Sequence, residues 1–181
     1  MKMRKIILLM CVLCSLSMYS QKIGYLYSDS IMSAIPEYKI ETSKLDSLKQ
    51  SYSKEIVAKQ TALQLQYNKI TKPYTPKENE TLQMIKKRMS AVDTLSLSML
   101  EDEAVQVQKK KTSYDRILQT TYAQNIQPIL DRVSATISKY AIQNNLTAVY
   151  SMEQLKTMLI YIDPKQNITG SIIQRLKSNF K

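Results

Sequence analysis

Few side chains of this sequence could carry out chemistry. It contains no histidine and two cysteines, Cys11 and Cys14. Without an imidazole there is no Ser-His or Cys-His dyad and no histidine metal ligand. Its two glycines cannot build a phosphate-binding loop, because such motifs need several glycines close together. We therefore predict that the protein is not an enzyme and uses no cofactor.

Carboxylates are the remaining candidates for holding a metal ion. The densest cluster is Glu101, Asp102 and Glu103. On a helix, consecutive side chains point in different directions around the axis. The cluster also lacks the glycine turn of a calcium-binding loop. No metal site is predicted.

Basic residues dominate the charge: 26 Lys and Arg face 15 Asp and Glu, a formal net charge of +11. Lysines recur every five residues from 39 to 59. At 3.6 residues per turn this spacing winds around a helix, which favours a dispersed basic surface. No aromatic residues interleave with the basic clusters 86–88 and 109–111, so no specific nucleic-acid site is predicted. We assign electrostatic steering of an acidic partner to Lys44, Lys49, Lys54 and Lys59; an anionic lipid surface is retained as a further partner.

The first 20 residues have the pattern of a secretory signal peptide. Lys2, Arg4 and Lys5 precede an apolar run over residues 6–13, and serines dominate residues 15–20. We predict cleavage after Ser20 and export to the periplasm. Cleavage would remove both cysteines and leave a net charge of +11 − 3 = +8.

The order of patterns predicts an α+β, mostly α fold. Short strands are expected at residues 22–27, 146–150 and 157–162, and Thr169 is expected to cap a last helix. Two long amphipathic helices between the first two strands predict an antiparallel coiled-coil hairpin. We expect one domain over residues 21–181: a small β-sheet body from 21–36 and 113–181, and a hairpin arm over 37–112.

The tip of the arm is expected near residues 71–77. Thr75, Pro76 and Glu78 form a capping box that predicts the restart of the second helix. The expected apolar stripe on that helix is Leu82, Ile85, Met89, Val92, Leu95 and Met99. Pro128 is expected to bend the helix without ending it, since the apolar spacing continues on both sides.

A sheet of three short strands has exposed edges and an uncovered apolar face, so a homotrimer held by the strand-bearing ends is predicted. Residues assigned to packing in this trimer or its body are Ile23, Tyr25, Tyr27, Val149, Leu159 and Tyr161.

The sequence resembles the Skp/OmpH family of periplasmic chaperones. The resemblance lies in residues 22–25 (Lys-Ile-Gly-Tyr) with Ser28-Asp29, in 35–38 (Ile-Pro-Glu-Tyr), in 127–129 (Gln-Pro-Ile), and in 163–165 with Ile168-Thr169. Asn144 and Asn145 depart from it where such sequences often have a glycine and an aromatic residue. The resemblance implies a homotrimer whose hairpin arms enclose a cavity that holds unfolded outer-membrane proteins without ATP.

Two other functions stay open at this point. One is a structural coiled-coil spacer or adaptor of the cell envelope. The other is a basic protein that binds nucleic acid or a membrane surface. The leading hypothesis is an ATP-independent periplasmic holdase for unfolded outer-membrane proteins.

Overall fold

The computed structural model describes residues 22–75 and 77–179. In chain order the elements are β1 (Lys22–Leu26), α1 (Ser28–Ser33), α2 (Pro36–Thr71), α3 (Leu82–Arg88), α4 (Ala91–Thr121), α5 (Gln127–Gln143), β2 (Leu146–Ser151), α6 (Met152–Leu155) and α7 (Thr169–Asn179). The predicted mostly α, α+β fold with a long helical hairpin and a small sheet is confirmed. The predicted signal peptide lies outside the described residues.

The chain divides into two compact units. The first, here called the body unit, comprises residues 22–36 and 130–179 of the described chain, and the second, the arm unit, comprises residues 37–129. The boundary between arm and body that the sequence predicts after residue 112 stays a prediction.

The sheet of the body unit is a parallel pair of strands. Ile23 of β1 lies opposite Ala148 of β2, and Tyr25 lies opposite Tyr150. Gly24 sits at a close approach, because a β-carbon there would come within 3.0 Å of the Leu146 side chain. The glycine of β1 therefore allows the neighbouring side chains to pack over the strand.

The predicted third strand at residues 157–162 is wrong. Within the described chain the sheet has two strands, and residues 157–162 form a turn and irregular backbone. Residues 167–168 pair with β1 instead: Tyr25 and Asn167 form a parallel bridge, and the Ile168 N–H donates to the Tyr25 carbonyl at 2.8 Å. β propensity alone does not make a strand, because a strand also needs a free edge to pair with.

Helices α1 and α7 supply much of the body core. Ile31, Ile172 and Leu176 are nearly inaccessible to solvent. The Thr169 hydroxyl accepts a hydrogen bond from the Tyr27 N–H at 3.0 Å, which ties the start of α7 to the end of β1. The predicted cap is wrong in its position, because Thr169 is itself the first residue of α7, and its N–H donates to the Asn167 side chain at 3.0 Å.

The turn from α5 into β2 uses a left-handed residue. Asn145 has a φ of 52°, and its N–H donates to the Ile142 carbonyl at 3.2 Å. Asparagine is one of the few non-glycine residues that adopt this conformation readily. The asparagine therefore replaces the glycine that the resemblance led us to expect near this position.

The arm unit is built on α2 and α4. Ile56 of α2 and Leu97, Leu100 and Val107 of α4 are buried. Halfway along, the rings of Tyr52 and Tyr114 stack in parallel with centroids 3.7 Å apart. Both helices thus contribute to one seam, as an antiparallel hairpin requires.

The tip of the arm differs from the prediction. A 3-10 turn at Lys72–Tyr74 follows α2, and α3 begins at Leu82. Its N-cap is Thr81, whose hydroxyl accepts from the Met84 N–H at 3.4 Å. The predicted restart at Thr75 is wrong, because contacts described below hold residues 77–80 in a non-helical turn; Pro76 lies outside the described residues.

The apolar stripe predicted for the second helix is wrong beyond Met89. The helix stops there, and Ser90 caps α4 by accepting from the Asp93 N–H at 3.1 Å. This break shifts the helical phase, so that Leu97 and Leu100 face the seam. The seam face of α4 steps by three, four or seven residues through positions that are buried or partly buried: 97, 100, 107, 114 and 118.

The helix continues through Pro128, but with a local irregularity. A π-helical turn at Tyr122–Ile126 precedes α5, and the Gln127 N–H donates to the Tyr122 carbonyl. Proline lacks the N–H that a regular helix would use here. In the wider turn that precedes Pro128, backbone hydrogen bonds join residues five apart instead of four. Across the described part of the chain, no helix combines the length and apolar character of a membrane span.

Candidate binding surfaces

Three residues of α4 form an exposed apolar surface, here called the α4 stripe: Val92, Leu95 and Met99. Their side chains are 72%, 64% and 64% exposed. They lie on one face of α4, since they are three and four residues apart. Met84 of α3 is also more than half exposed. Contiguous exposed apolar side chains commonly mark binding surfaces.

A groove, here called the hairpin groove, runs along α2 and is not lined by the residues of the α4 stripe. It consists of three depressions of about 290, 400 and 460 Å³. Gln60 lines the first two, and Tyr67 lines the last two, so the three depressions follow one another along α2. Apolar and aromatic side chains alternate with amides along its wall on α2.

A polar and aromatic cluster crosses the seam in the middle of the arm. Glu55 of α2 accepts hydrogen bonds from the Lys110 ammonium and from the Tyr114 hydroxyl. The hydrogen bond from Lys110, followed by that from Tyr114, holds the pKa of Glu55 below its usual value. The same contact with Glu55 raises the pKa of Lys110. The cluster therefore stays charged at neutral pH and fixes which residues of α2 and α4 lie opposite each other.

Arg88 organises the tip. Its guanidinium pairs with Glu80 at 2.8 Å and donates to the backbone carbonyls of Tyr74 and Thr75 at 3.1 and 2.7 Å. Hydrogen bonds from Arg88 and from the Lys77 N–H lower the pKa of Glu80. These hydrogen bonds satisfy backbone carbonyls of a turn that lacks the regular hydrogen bonds of a helix or a sheet.

An apolar cluster and an aspartate complete the tip. Ile85, Met89 and Leu97 are buried together, and Tyr67, Ile70 and Tyr74 pack against them. The Tyr74 hydroxyl donates to Asp93 at 2.5 Å, and this bond, with one from Ser90, lowers the pKa of Asp93. The tip is thus a packed structure in its own right.

The predicted steering lysines all lie exposed on α2. Lys44 pairs with Glu41 at 2.7 Å within the helix. Lys49 lines the hairpin groove. Lys54 and Lys59 are exposed, and Lys59 acts electrostatically on Glu55. The structure does not bring the four lysines to one face, and their role in steering stays a prediction.

The predicted packing residues divide into two groups. Tyr25 is buried in the body unit and packs edge-to-face on Tyr27 with ring centroids 6.0 Å apart. Ile23, Tyr27 and Val149 are partly buried. Leu159 and Tyr161 are exposed and take no part in the core of the single chain.

Sequence reasoning missed two features of these surfaces. It placed the α4 stripe in the seam, although the continuous stripe through Leu97 and Val107 was readable from the spacing. It also missed the amides of the hairpin groove, because exposed glutamines carry no sequence signal by themselves.

The fold and these surfaces define a class of protein: a long helical hairpin with exposed apolar and amide-lined surfaces, and a unit built on a parallel strand pair. The family model described as outer membrane protein (OmpH-like) matches residues 22–176, and the chain belongs to this OmpH-like family. The family resemblance predicted from the sequence is thereby confirmed.

One solved structure shows the same fold. It is that of a candidate outer membrane chaperone (OmpH-like) from Caulobacter crescentus CB15, with a TM-score of 0.52 and 12% sequence identity. The match covers 88% of this chain and 86% of that chain. No curated protein sequence matches this chain.

Proposed function

We propose that this protein is an ATP-independent holdase chaperone of the periplasm, which binds unfolded outer-membrane proteins and prevents their aggregation. Membership of the OmpH-like family supports a chaperone role in general. The observation that carries the proposal is the α4 stripe, where Val92, Leu95 and Met99 are each more than 60% exposed. A structural spacer has no need to expose such side chains.

The stripe suits clients of varied sequence. Burying one such side chain against a client contributes on the order of 1 kcal/mol. Methionine adapts its shape to different partners, as at other promiscuous binding surfaces. In an assembly with several copies of the surface, a client held by one copy meets the others at a high local concentration, so that many weak contacts together hold it. Capture then needs no particular client sequence and no nucleotide.

The proposed assembly is a homotrimer held by the body units. Residues 157–162 support it, because Met158, Ile160 and Tyr161 are 79%, 104% and 78% exposed. An apolar segment of this kind is typical of a surface that a second copy covers. Sizing with light scattering on the mature chain should give three copies, and replacing Ile160 with Asp should shift the mass toward the monomer. A monomeric wild-type chain would contradict the assembly.

The export predicted from residues 1–20 supports a periplasmic location. The residue pattern at 1–20 predicts cleavage after Ser20, and N-terminal sequencing of the exported protein should read Gln21 first. The remaining charge should steer acidic clients. Replacing Lys44, Lys49, Lys54 and Lys59 together with Gln should slow client association and leave the oligomer intact, and added salt should have the same effect.

The decisive assay follows light scattering after dilution of a urea-unfolded β-barrel protein without nucleotide. Equimolar wild-type assembly should suppress the scattering, and the double variant Leu95→Ser/Met99→Ser should suppress it less. The matched control is Ile40→Ser/Leu65→Ser, which changes two α2 side chains that are 53% and 65% exposed. This control should behave as wild type.

Two outcomes would overturn the proposal. Unchanged aggregation of several clients with a correctly assembled protein would favour the structural spacer. Equal loss in the two double variants would show that general surface hydrophobicity, and not the α4 stripe, holds the client.

A further inference from the structure

A row of three amides lines the hairpin groove. Gln60, Gln64 and Asn68 lie four residues apart on α2, and all three are exposed. The Gln64 amide donates to the Asn68 side chain at 2.9 Å, so two members are already aligned along the helix. We call these three residues the amide row.

Beside the amide row lies an apolar floor. Ile56, Leu63 and Tyr67 of α2 line the groove together with Leu100 of α4. The groove thus offers two parallel tracks: one apolar, and one that can donate and accept hydrogen bonds.

The spacing of the amide row matches the edge of an extended chain. Four helical residues rise about 6 Å. Backbone groups on one edge of an extended strand repeat every second residue, about 6.8 Å. Successive amides can therefore meet successive backbone N–H or C=O groups of one strand edge.

A helix could not use the amide row in this way. All backbone groups inside a helix are already paired with each other. A third helix in the groove would instead need a continuous apolar track, and the amides interrupt it with polar groups that would lose water without gaining partners. The geometry favours an extended occupant.

The length of the groove sets the length of this occupant. Its lining on α2 runs from Lys49 to Thr71, about 33 Å at 1.5 Å per residue. An extended chain of about ten residues covers this distance. Transmembrane β-strands have about 9–11 residues and alternate apolar with polar side chains.

We propose that the hairpin groove binds one strand-length extended segment of an unfolded polypeptide, with the amide row pairing with its backbone edge and alternate apolar side chains lying on the floor. This inference rests on the proposed holdase function and names the segment class that the arm recognises. It also adds a site distinct from the α4 stripe.

The test measures binding of a fluorescent ten-residue peptide with alternating apolar and polar residues to the full mature protein. Gln60→Leu/Gln64→Leu should weaken its affinity roughly tenfold, as loss of two or three hydrogen bonds predicts. The matched control, Gln50→Leu/Gln66→Leu, changes two exposed α2 glutamines that do not line the groove and should bind as wild type. Circular dichroism should show the same helix content in all three proteins.

A second measurement separates backbone pairing from side-chain contact. N-methylation of alternate peptide amides on one edge should reduce affinity by a similar factor, while methylation of the other edge should not. Because the described chain has no cysteine, a single Gln60→Cys variant can also be cross-linked to a thiol-reactive peptide, with Gln66→Cys as the control. Cross-linking should favour position 60.

Several results would overturn the inference. They are equal binding by the two glutamine variants, indifference to N-methylation, or tighter binding of a peptide with a heptad apolar pattern. Failure of the alternating peptide to bind, while the wild-type protein still prevents aggregation, would reject the groove and leave the holdase function standing. Peptide binding without any suppression of aggregation would instead reject the holdase function.

Discussion

The two glycines of the chain predict opposite effects of the same substitution. At Gly24 in β1, an added β-carbon would lie 3.0 Å from Leu146 Cδ1 and 3.3 Å from Ile168 Cγ2. At Gly170 in α7, nothing lies within 4 Å of such an atom. Neither residue has the positive φ that would itself require glycine. Space, and not backbone strain, therefore decides the outcome at both positions.

The magnitudes follow from two competing effects. Replacing glycine with alanine reduces the conformational entropy of the unfolded chain. In a strand or a helix this raises the free energy of unfolding by about 0.5–1 kcal/mol. Overpacking at Gly24 costs about 1–3 kcal/mol. We take about 2 kcal/mol here, because the Leu146 methyl group can move whereas the β-branched Ile168 side chain is stiff. We expect Gly24→Ala to reduce the free energy of unfolding by about 1 kcal/mol, and Gly170→Ala to raise it by about 0.5 kcal/mol.

Scanning calorimetry of the two variants and the wild type checks this prediction. The three proteins are compared at one concentration, because assembly would make the melting temperature depend on it. For a chain of this size, 1 kcal/mol corresponds to about 2–4 °C. Gly24→Val should lower the melting temperature further than Gly24→Ala. A Gly24→Ala protein as stable as Gly170→Ala would refute the reasoning from close packing over β1.

Three further predictions concern polar contacts. Arg88→Met should speed hydrogen exchange at residues 77–90 relative to Lys87→Met, because the carbonyls and the carboxylate that Arg88 holds lose their donor. Loss of some hydration raises the pKa of Glu153, but hydrogen bonds from Ser151 and from backbone N–H groups outweigh this effect and lower the pKa to about 2. Stability from Glu153 should therefore be present above about pH 5 and be lost as the pH falls toward 2, and Glu153→Gln should remove this part of the pH dependence in acid titrations of unfolding. Glu55→Gln should lower the midpoint of urea unfolding of the arm, and should do so less when Lys110 is already methionine, which a double-mutant cycle measures.

Local sequence signals sufficed where the structure depends on local contacts. The strand at β1, the start of α2 near Pro36 and the end of α2 before Pro73 follow from β propensity and from the backbone limits of proline. The apolar repeat of α2 predicted one arm of a hairpin, because a helix with one apolar face must bury it against another element. Residues at both ends of the chain sufficed to predict the OmpH-like family, because a family resemblance lies in the residues themselves.

Tertiary structure decided which of several local options was used. Thr75 and Thr81 can both cap a helix, and the Arg88 contacts with Glu80 and with the Thr75 carbonyl select Thr81. The break at Ser90 then sets which apolar residues of α4 face the seam; the apolar spacing by itself offers two stripes on α4 and does not decide between them.

The same reason explains the strands and the groove. Residues 157–162 have the composition of a strand, but within the described chain the backbone of β1 pairs with β2 and with residues 167–168. Pairing is a relation between distant segments, so composition cannot assign it. Gln60, Gln64 and Asn68 are ordinary helix-surface residues in the sequence; they become a row beside an apolar floor only because α4 packs along α2 and walls the groove. The sequence determined the elements of this protein, and the packing of distant segments determined its surfaces.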